Sequence, residues 1–172
     1  ITAGEPASIS SEITIKAIKK LKKESNSELI IITDPSLIKH EIKNFNKSAE
    51  LNILDKKLNF KDYKNDFINI IPIKLNEKTI PGILNKKNSD FVLKSIKMSV
   101  DFLLQKKANA VVTNPINKFI MKSSNFKFNG HTEYLGHLSK FNKKPIMMLE
   151  SERLRVVPLT THIPVSYTHL TL

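Results

Sequence analysis

The chain has 172 residues, of which 40% are hydrophobic and 26% are charged, enough for one core of ordinary size and too few for two full domains. It contains no cysteine, which excludes a disulfide scaffold and thiolate metal sites, so any metal would be held by histidine or carboxylate. Its 28 basic residues exceed its 16 acidic residues by 12, and this net charge suggests a polyanionic partner.

The basic residues are nevertheless not arranged like a nucleic-acid interface. Arg153 and Arg155 are the only arginines, and the lysines are scattered among Asn and Ile without a cluster of aromatic side chains. Proteins read bases with arginine and stack unpaired bases on aromatic rings, so we expect no nucleic-acid partner. No signal-peptide pattern opens the chain, and no apolar run approaches the roughly 20 residues that cross a bilayer. We therefore expect a soluble, cytoplasmic protein without a membrane partner.

Hydrophobic periodicity predicts helices that alternate with strands. The helical patterns begin at Ser11, at Pro35, at Ser89 (ending near Lys107) and at Lys118 (a short turn to Lys122). The short apolar runs that predict strands cover residues 29–33, 67–71, 108–113, 145–149 and 154–159. This alternation predicts an α/β fold with a mixed, largely parallel sheet flanked by helices. Such sheets bind ligands at the carboxyl ends of their strands, so the loops after Thr113 and Leu159 are candidate site loops.

Two of the five histidines lie at predicted element boundaries. His131 follows Gly130, and with Thr132 it opens a predicted helix, where free amides and a hydroxyl could hold an oxygen-rich anionic substrate. A plain helix cap is the alternative interpretation. His162 follows a predicted strand end, which suits a metal ligand, a general base or a structural role. No other histidine or carboxylate lies near His162 in the sequence, so local residues cannot complete a metal site.

His40 and His137 are not predicted to be site residues. His40 lies in a lysine-rich helix and is expected to be solvated, and His137 is expected to be exposed or paired with a carboxylate. The opening segment, residues 1–9, reads as a strand end that turns at Gly4 and could line a site. It lacks the G-x-G-x-x-G pattern, so no Rossmann dinucleotide fingerprint is present.

Four segments, in the same order, resemble the 4-hydroxythreonine-4-phosphate dehydrogenase family of vitamin B6 synthesis. They read ITAGEPASISSEI, AVVTNPINKFIM, FNGHTEYLGHL and KKPIMMLESERLRVVPLTTHIP. The likeness spans nearly all of residues 1–164 and corresponds to about the first half of a family chain. It implies a fold like that of isocitrate and isopropylmalate dehydrogenases, as part of a two-domain protein. On this basis we expect a first domain over 1–127 and the start of a second domain over 128–164.

The resemblance also implies roles for particular residues. His131 and Thr132 would bind the substrate, and His162 would be a ligand of a divalent metal such as Zn, Mg or Co. Two further histidine ligands and the remaining substrate ligands would lie outside this chain. Family members act as homodimers with the active site at the subunit interface. They use NAD or NADP to oxidise a small phosphorylated hydroxy amino acid, 4-phosphohydroxy-L-threonine, to a 3-oxo acid that decarboxylates to 3-amino-2-oxopropyl phosphate.

Two departures from the family pattern stand out. Relatives usually read PGEPAGIG at the opening, whereas this chain has Ala3, Ser8 and Ser10, which bears on loop geometry that depends on glycine. Residues 165–172 resemble the translated read-through of a sequencing adapter, so we expect the natural sequence to stop near Pro164. On this interpretation His169 has no role in the metal site.

The sequence is also compatible with two other functions. A related dehydrogenase could act on a phosphorylated sugar acid of the threonate or erythronate type. A basic, non-catalytic protein could bind phosphates or nucleic acid through its lysines, and its binding would weaken steeply with salt. We also expect the 172-residue chain by itself to be inactive and poorly folded, because it would leave sheet surface unpaired.

Overall fold

A computed structural model describes residues 1–24, 27–44, 49–141 and 143–158. Its sheet contains β1 (Ile30–Thr33), β2 (Leu51–Ile53) and β3 (Ile68–Pro72), in the spatial order β1-β3-β2. All pairs are parallel, with Ile31 opposite Ile70 in the first pair and Ile53 opposite Ile70 in the second. The two predicted strands at 29–33 and 67–71 are thus confirmed, within one residue at each end.

The two faces of the sheet are covered by different helices, because successive side chains of a strand point to opposite faces. Ile31 and Ile70 pack with α1 (Ser10–Glu24) and α2 (Pro35–Asn44). Their neighbours Ile32 and Ile71 pack against α3 (Ser89–Leu104). All three helices were predicted, although α3 ends three residues earlier than expected. The predicted α/β fold with a parallel sheet flanked by helices is confirmed.

The N-terminal segment extends the sheet beyond β1. Thr2 forms a parallel bridge with Ile32, and the Thr2 N–H donates to the carbonyl of Val112 at 3.0 Å. The segment that contains Thr2 and the segment that contains Val112 therefore run toward the same end of the sheet as β1. The buried strand predicted over 108–113 is wrong: the segment is not a strand, and Val112 is 61% exposed. The apolar residues of the segment 108–113 predict burial. The segment instead lies at the edge of the sheet, where one of its own faces is uncovered.

The region after α3 has short elements. These are α4 (Lys118–Ser123), α5 (His131–Leu138), β4 (Leu149–Glu150) and β5 (Arg155–Val156). Tyr134 of α5 is buried in the core that includes Phe91 of α3. The expected division after residue 127 stays a prediction.

The strands predicted over 145–149 and 154–159 are largely wrong within the described residues. Only β4 and β5 form there, and they pair antiparallel with each other instead of joining the parallel sheet. Each has two residues, and all four side chains are exposed.

Residue 159 and the loop after it lie outside the described residues. No helix of the described part is long and apolar enough to cross a membrane.

Candidate functional site

Three segments meet where the strands of the extended sheet end: the loop 4–9, the loop 114–117 and the start of α5. The first two follow Thr2 and Val112, which lie side by side at the edge of the sheet. The Glu5 N–H donates to the Pro115 carbonyl at 2.9 Å and joins the first loop to the second. The second loop leads directly into α4, whose first residue, Lys118, extends to Gly130 at the start of α5. The predicted site loop after Thr113 is therefore part of a polar cluster.

Gly4 allows the first two loops to approach each other. It has φ of +69°, a conformation that L side chains rarely adopt. A Cβ at this position would lie 2.5 Å from Ser10 Oγ, 2.6 Å from Asn114 Cβ and 2.8 Å from the Pro115 carbonyl oxygen. These distances are shorter than any ordinary contact, and one of them is to backbone. Glycine is therefore required at position 4 for both its φ and the space around it.

Asn114 fixes the second loop to Thr2 at the sheet edge and to Thr14 of α1 by three hydrogen bonds. Its buried side-chain amide donates to the Thr2 carbonyl at 2.8 Å and to Thr14 Oγ1 at 2.7 Å. Its backbone N–H donates to Thr2 Oγ1 at 3.0 Å. The sequence indicated Asn114 only as a strand-ending residue before proline. A polar residue between an apolar run and a proline was the available signal, but its partners lie about a hundred residues away in the chain.

Serines occupy positions 8 and 10, where the family resemblance led us to expect glycine. Ser8 Oγ donates to the Glu5 carbonyl at 2.8 Å, and Ser10 Oγ donates to the Pro115 carbonyl at 3.3 Å. Neither serine takes a positive φ. The loop geometry of this chain therefore depends on glycine at Gly4 and not at positions 8 and 10. The Ser8 hydroxyl adds a contact within the first loop, and the Ser10 hydroxyl adds one to the second loop.

Glu5 brings a buried carboxyl group to the same loop. Its side chain is 4% exposed, and its Oε1 accepts the Ala7 N–H at 3.2 Å. Burial raises the pKa of the Glu5 carboxyl, and the hydrogen bond from Ala7 offsets part of this effect. Glu5 was not a predicted site residue, because its burial follows from the turn at Gly4.

The start of α5 carries the two predicted substrate-binding residues. Gly130 occupies the N-cap position and provides no side-chain hydrogen bond to the helix. His131 and Thr132 are half-buried in the first turn of α5, where backbone N–H groups lack intrahelical acceptors. The helix start predicted at this motif is confirmed, and the Lys118 side chain reaches the N-cap residue of this helix, Gly130.

The His131 imidazole is held neutral and incompletely hydrogen-bonded. Its Nε2 atom is buried and has no hydrogen-bond partner among the described residues. Burial lowers the pKa of His131, and the positive charge of Lys118 lowers it further. A neutral imidazole at neutral pH offers one donor and one acceptor, and a buried ring nitrogen without a partner costs free energy until a ligand or water satisfies it.

Two further histidines lie in the described residues. His137 is exposed, as predicted, and its ring lies 5.0 Å from the ring of Phe128. His40 is exposed, as predicted, with its Nδ1 3.2 Å from the Asn44 amide and 3.4 Å from Glu41 Oε1. The described residues include no group of three His, Cys, Asp or Glu side chains that could hold a metal ion. His162 and His169 lie outside the described residues, so the metal-ligand prediction for His162 is not tested.

A parallel sheet flanked by helices, with a polar cluster at the carboxyl ends of its strands, is typical of α/β proteins that bind small ligands at that edge. Residues 24–171 match the family model described as pyridoxal phosphate biosynthetic protein PdxA. The chain belongs to the PdxA family.

Individual relatives agree with this assignment. The chain is 36% identical over 165 residues to the 4-hydroxythreonine-4-phosphate dehydrogenase of Wigglesworthia glossinidia brevipalpis, covering 96% of this chain and 48% of the relative. The crystal structure of the enzyme of that name from Klebsiella pneumoniae matches with a TM-score of 0.79 and 27% identity, over 96% of this chain and 51% of that one. The corresponding structure from Burkholderia phymatum matches with a TM-score of 0.81 and 26% identity, over 95% and 49%. The chain thus spans about half the length of the curated relatives it matches.

Proposed function

We propose that the protein to which this chain belongs is an NAD(P)-dependent dehydrogenase that oxidises 4-phosphohydroxy-L-threonine in pyridoxal phosphate biosynthesis. The observation that carries the proposal is the buried Nε2 of His131 at the start of α5, which has no partner among residues 1–24, 27–44, 49–141 and 143–158, in a chain of the PdxA family. The names of the similar proteins support the substrate. In this proposal His131 and Thr132 form the substrate-binding part of the site.

His131 and Thr132 are suited to orient a polar substrate. The neutral imidazole can donate to or accept from a substrate oxygen, and the Thr132 hydroxyl can do the same. The first-turn amides of α5 favour an anionic group nearby. The position of both side chains in the first turn of one helix fixes them relative to each other, and such preorganisation restricts the position of the substrate relative to the reacting groups. His131 and Thr132 therefore act in binding and orientation, not in hydride transfer.

A nicotinamide cofactor, NAD or NADP, would accept the hydride from the secondary alcohol of the substrate, giving a 3-oxo acid that decarboxylates to 3-amino-2-oxopropyl phosphate. We propose His162 as one ligand of a divalent ion such as Zn, Mg or Co, on the basis of the family resemblance. The described residues do not contain a ligand set for this ion. We also propose a cytoplasmic homodimer with the active site at the subunit interface.

The test of the proposal compares two histidines of α5 in the protein expressed from the complete open reading frame. His131→Ala should raise KM for 4-phosphohydroxy-L-threonine by about 10-fold to 100-fold, the range expected for losing a hydrogen bond to a charged group. His137→Ala is the matched control, because His137 is exposed on the same helix, and its KM should stay within about twofold. The assay measures reduced nicotinamide by absorbance at saturating cofactor.

Three outcomes would contradict parts of the proposal. No oxidation of 4-phosphohydroxy-L-threonine by the wild type would overturn the substrate, and turnover of phosphorylated threonate or erythronate instead would replace it with a sugar acid. Equal effects of the two histidine substitutions would remove the role of His131. Unchanged metal affinity of His162→Ala would remove the ligand assignment. The 172-residue chain alone is expected to be inactive, since further proposed ligands lie outside it.

A further inference from the structure

Lys118 is the first residue of α4, but its side chain is directed to α5. The N-terminus of α4 is capped by Asn117, whose side-chain oxygen accepts the Ile120 N–H at 3.0 Å. Lys118 Cε and Nζ lie 3.5 Å and 3.8 Å from the position a Cβ would take on Gly130. Gly130 therefore leaves the ammonium group of Lys118 next to the first residue of α5.

The Lys118 ammonium has no anionic partner among the described residues. Five ion pairs form there, and three of them satisfy Lys16, Lys87 and Lys94, but none involves Lys118. Glu133 Oε2 lies 3.9 Å from the same Cβ position on Gly130, yet it forms no ion pair with Lys118. Lys118 is an exposed residue, which a ligand from solvent can reach.

His131 provides a second unsatisfied group beside this cation. Its Nε2 is buried without a partner in the part of the chain that the structure describes, and the imidazole is uncharged at neutral pH. Lysine offers three donors and no acceptor, while a neutral imidazole offers one donor. An anionic oxygen that contacts both groups would accept from the ammonium, and also from His131 Nε2 in the tautomer that carries the proton there. Lysine is a common ligand of phosphate.

We propose that Lys118 is a further substrate-binding residue, whose ammonium group binds an anionic oxygen of the substrate together with His131. This inference rests on the proposed function of the same site. The substrate contains two sources of such an oxygen, its phosphate and its carboxylate. A contact between Lys118 and either group would hold the reacting alcohol at a fixed distance from α5.

The experiment measures KM and kcat of Lys118→Met in the protein from the complete open reading frame. KM for 4-phosphohydroxy-L-threonine should rise about 10-fold to 100-fold, with kcat within about threefold, because a binding contact is lost. Lys118→Arg keeps the charge and should restore KM to within about fivefold of wild type, whereas a merely structural role would not respond to charge. Lys122→Met, an exposed lysine on the same helix, is the matched control and should leave KM unchanged.

A second substrate distinguishes the two anionic groups. With 4-hydroxythreonine, which lacks the phosphate, an unchanged KM for Lys118→Met would assign the contact to the phosphate. An increased KM for both substrates would assign it to the carboxylate. An unchanged KM for both substrates, or a loss in kcat alone, would overturn the proposal.

A binding measurement separates this inference from the proposed activity. Calorimetric titration with inorganic phosphate and, separately, with acetate needs no turnover. Wild-type protein should bind at least one of the two, and Lys118→Met should bind it about 10-fold more weakly. If the wild type fails to oxidise the substrate but shows this Lys118-dependent binding, the proposed reaction fails and the anion site stands. If affinity for both anions is absent or independent of Lys118, the anion site fails.

Discussion

The central strand β3 and the hairpin of β4 and β5 are both flanked by apolar sequence, but they differ completely in burial. Ile70 and Ile71 of β3 are 0% exposed, whereas Ile146 before β4 is 78% exposed and Leu154 before β5 is 63% exposed. β3 lies between two parallel strands and two helical layers. β4 and β5 pair with each other, and all four of their residues are exposed. An apolar run thus indicates a capacity for burial, which is realised only where neighbouring elements cover both of its faces.

The largest expected effect comes from a substitution in the buried core around β3. Phe91 of α3 is fully buried against the sheet, and Phe91→Ala should lower the free energy of unfolding by about 3–5 kcal/mol, since it removes apolar burial and leaves a cavity. Ile146→Ala in the exposed region should change it by less than about 0.5 kcal/mol. Urea unfolding of the protein expressed from the complete open reading frame, followed by circular dichroism, measures both. Similar effects of the two substitutions would contradict the difference in burial.

Substitution of Gly4 tests whether the loops 4–9 and 114–117 must approach each other closely at the edge of the sheet. Gly4→Ala should destabilise the protein by about 2–5 kcal/mol, from the strain of a positive φ and from overpacking against Ser10 and Pro115. Gly82→Ala is the matched control, because Gly82 has φ of +79° but open space around its Cβ position. It should cost only about 1–2 kcal/mol, the strain alone. Thermal or urea unfolding compares the two variants, and equal destabilisation would show that the close approach at Gly4 does not hold.

The smallest effect concerns Glu5, the buried carboxyl group of the loop 4–9. Its pKa is raised in the folded state above the ordinary value of 4.5, so the folded protein binds the proton more tightly than the unfolded chain. Stability should therefore fall as pH rises from the ordinary value through the raised one. Glu5→Gln keeps the shape but removes this titration, so its unfolding free energy should depend less on pH across that window. Parallel pH profiles of the two proteins would show that Glu5 is not the group responsible.

The regular elements of the covered region could be predicted because their signals are local. The apolar run at 29–33, followed by Asp34-Pro35, specifies a strand and a helix start without reference to the rest of the chain. Asp34 then accepts hydrogen bonds from Ser36 and from the Leu75 N–H at 2.9 Å. Burial would raise the pKa of Asp34, but these hydrogen bonds outweigh burial and lower it. The contact with Ser36 is a local cap, whereas the contact with Leu75 depends on where β3 ends.

The sequence by itself determined the helices α1, α2 and α3, the strands β1 and β3, the helix start at His131 and the family to which the chain belongs, because periodicity, capping and motif order are properties of neighbouring residues. It did not predict β2, which has only three residues, none of them buried. Only the tertiary structure decided that residues 108–113 lie at an edge and not in a buried strand, that β4 pairs with β5, and that Gly4, Asn114 and Lys118 adjoin the site. These outcomes depend on contacts between residues far apart in the chain, and their free energies arise from close packing and from hydrogen bonds whose partners no local pattern specifies.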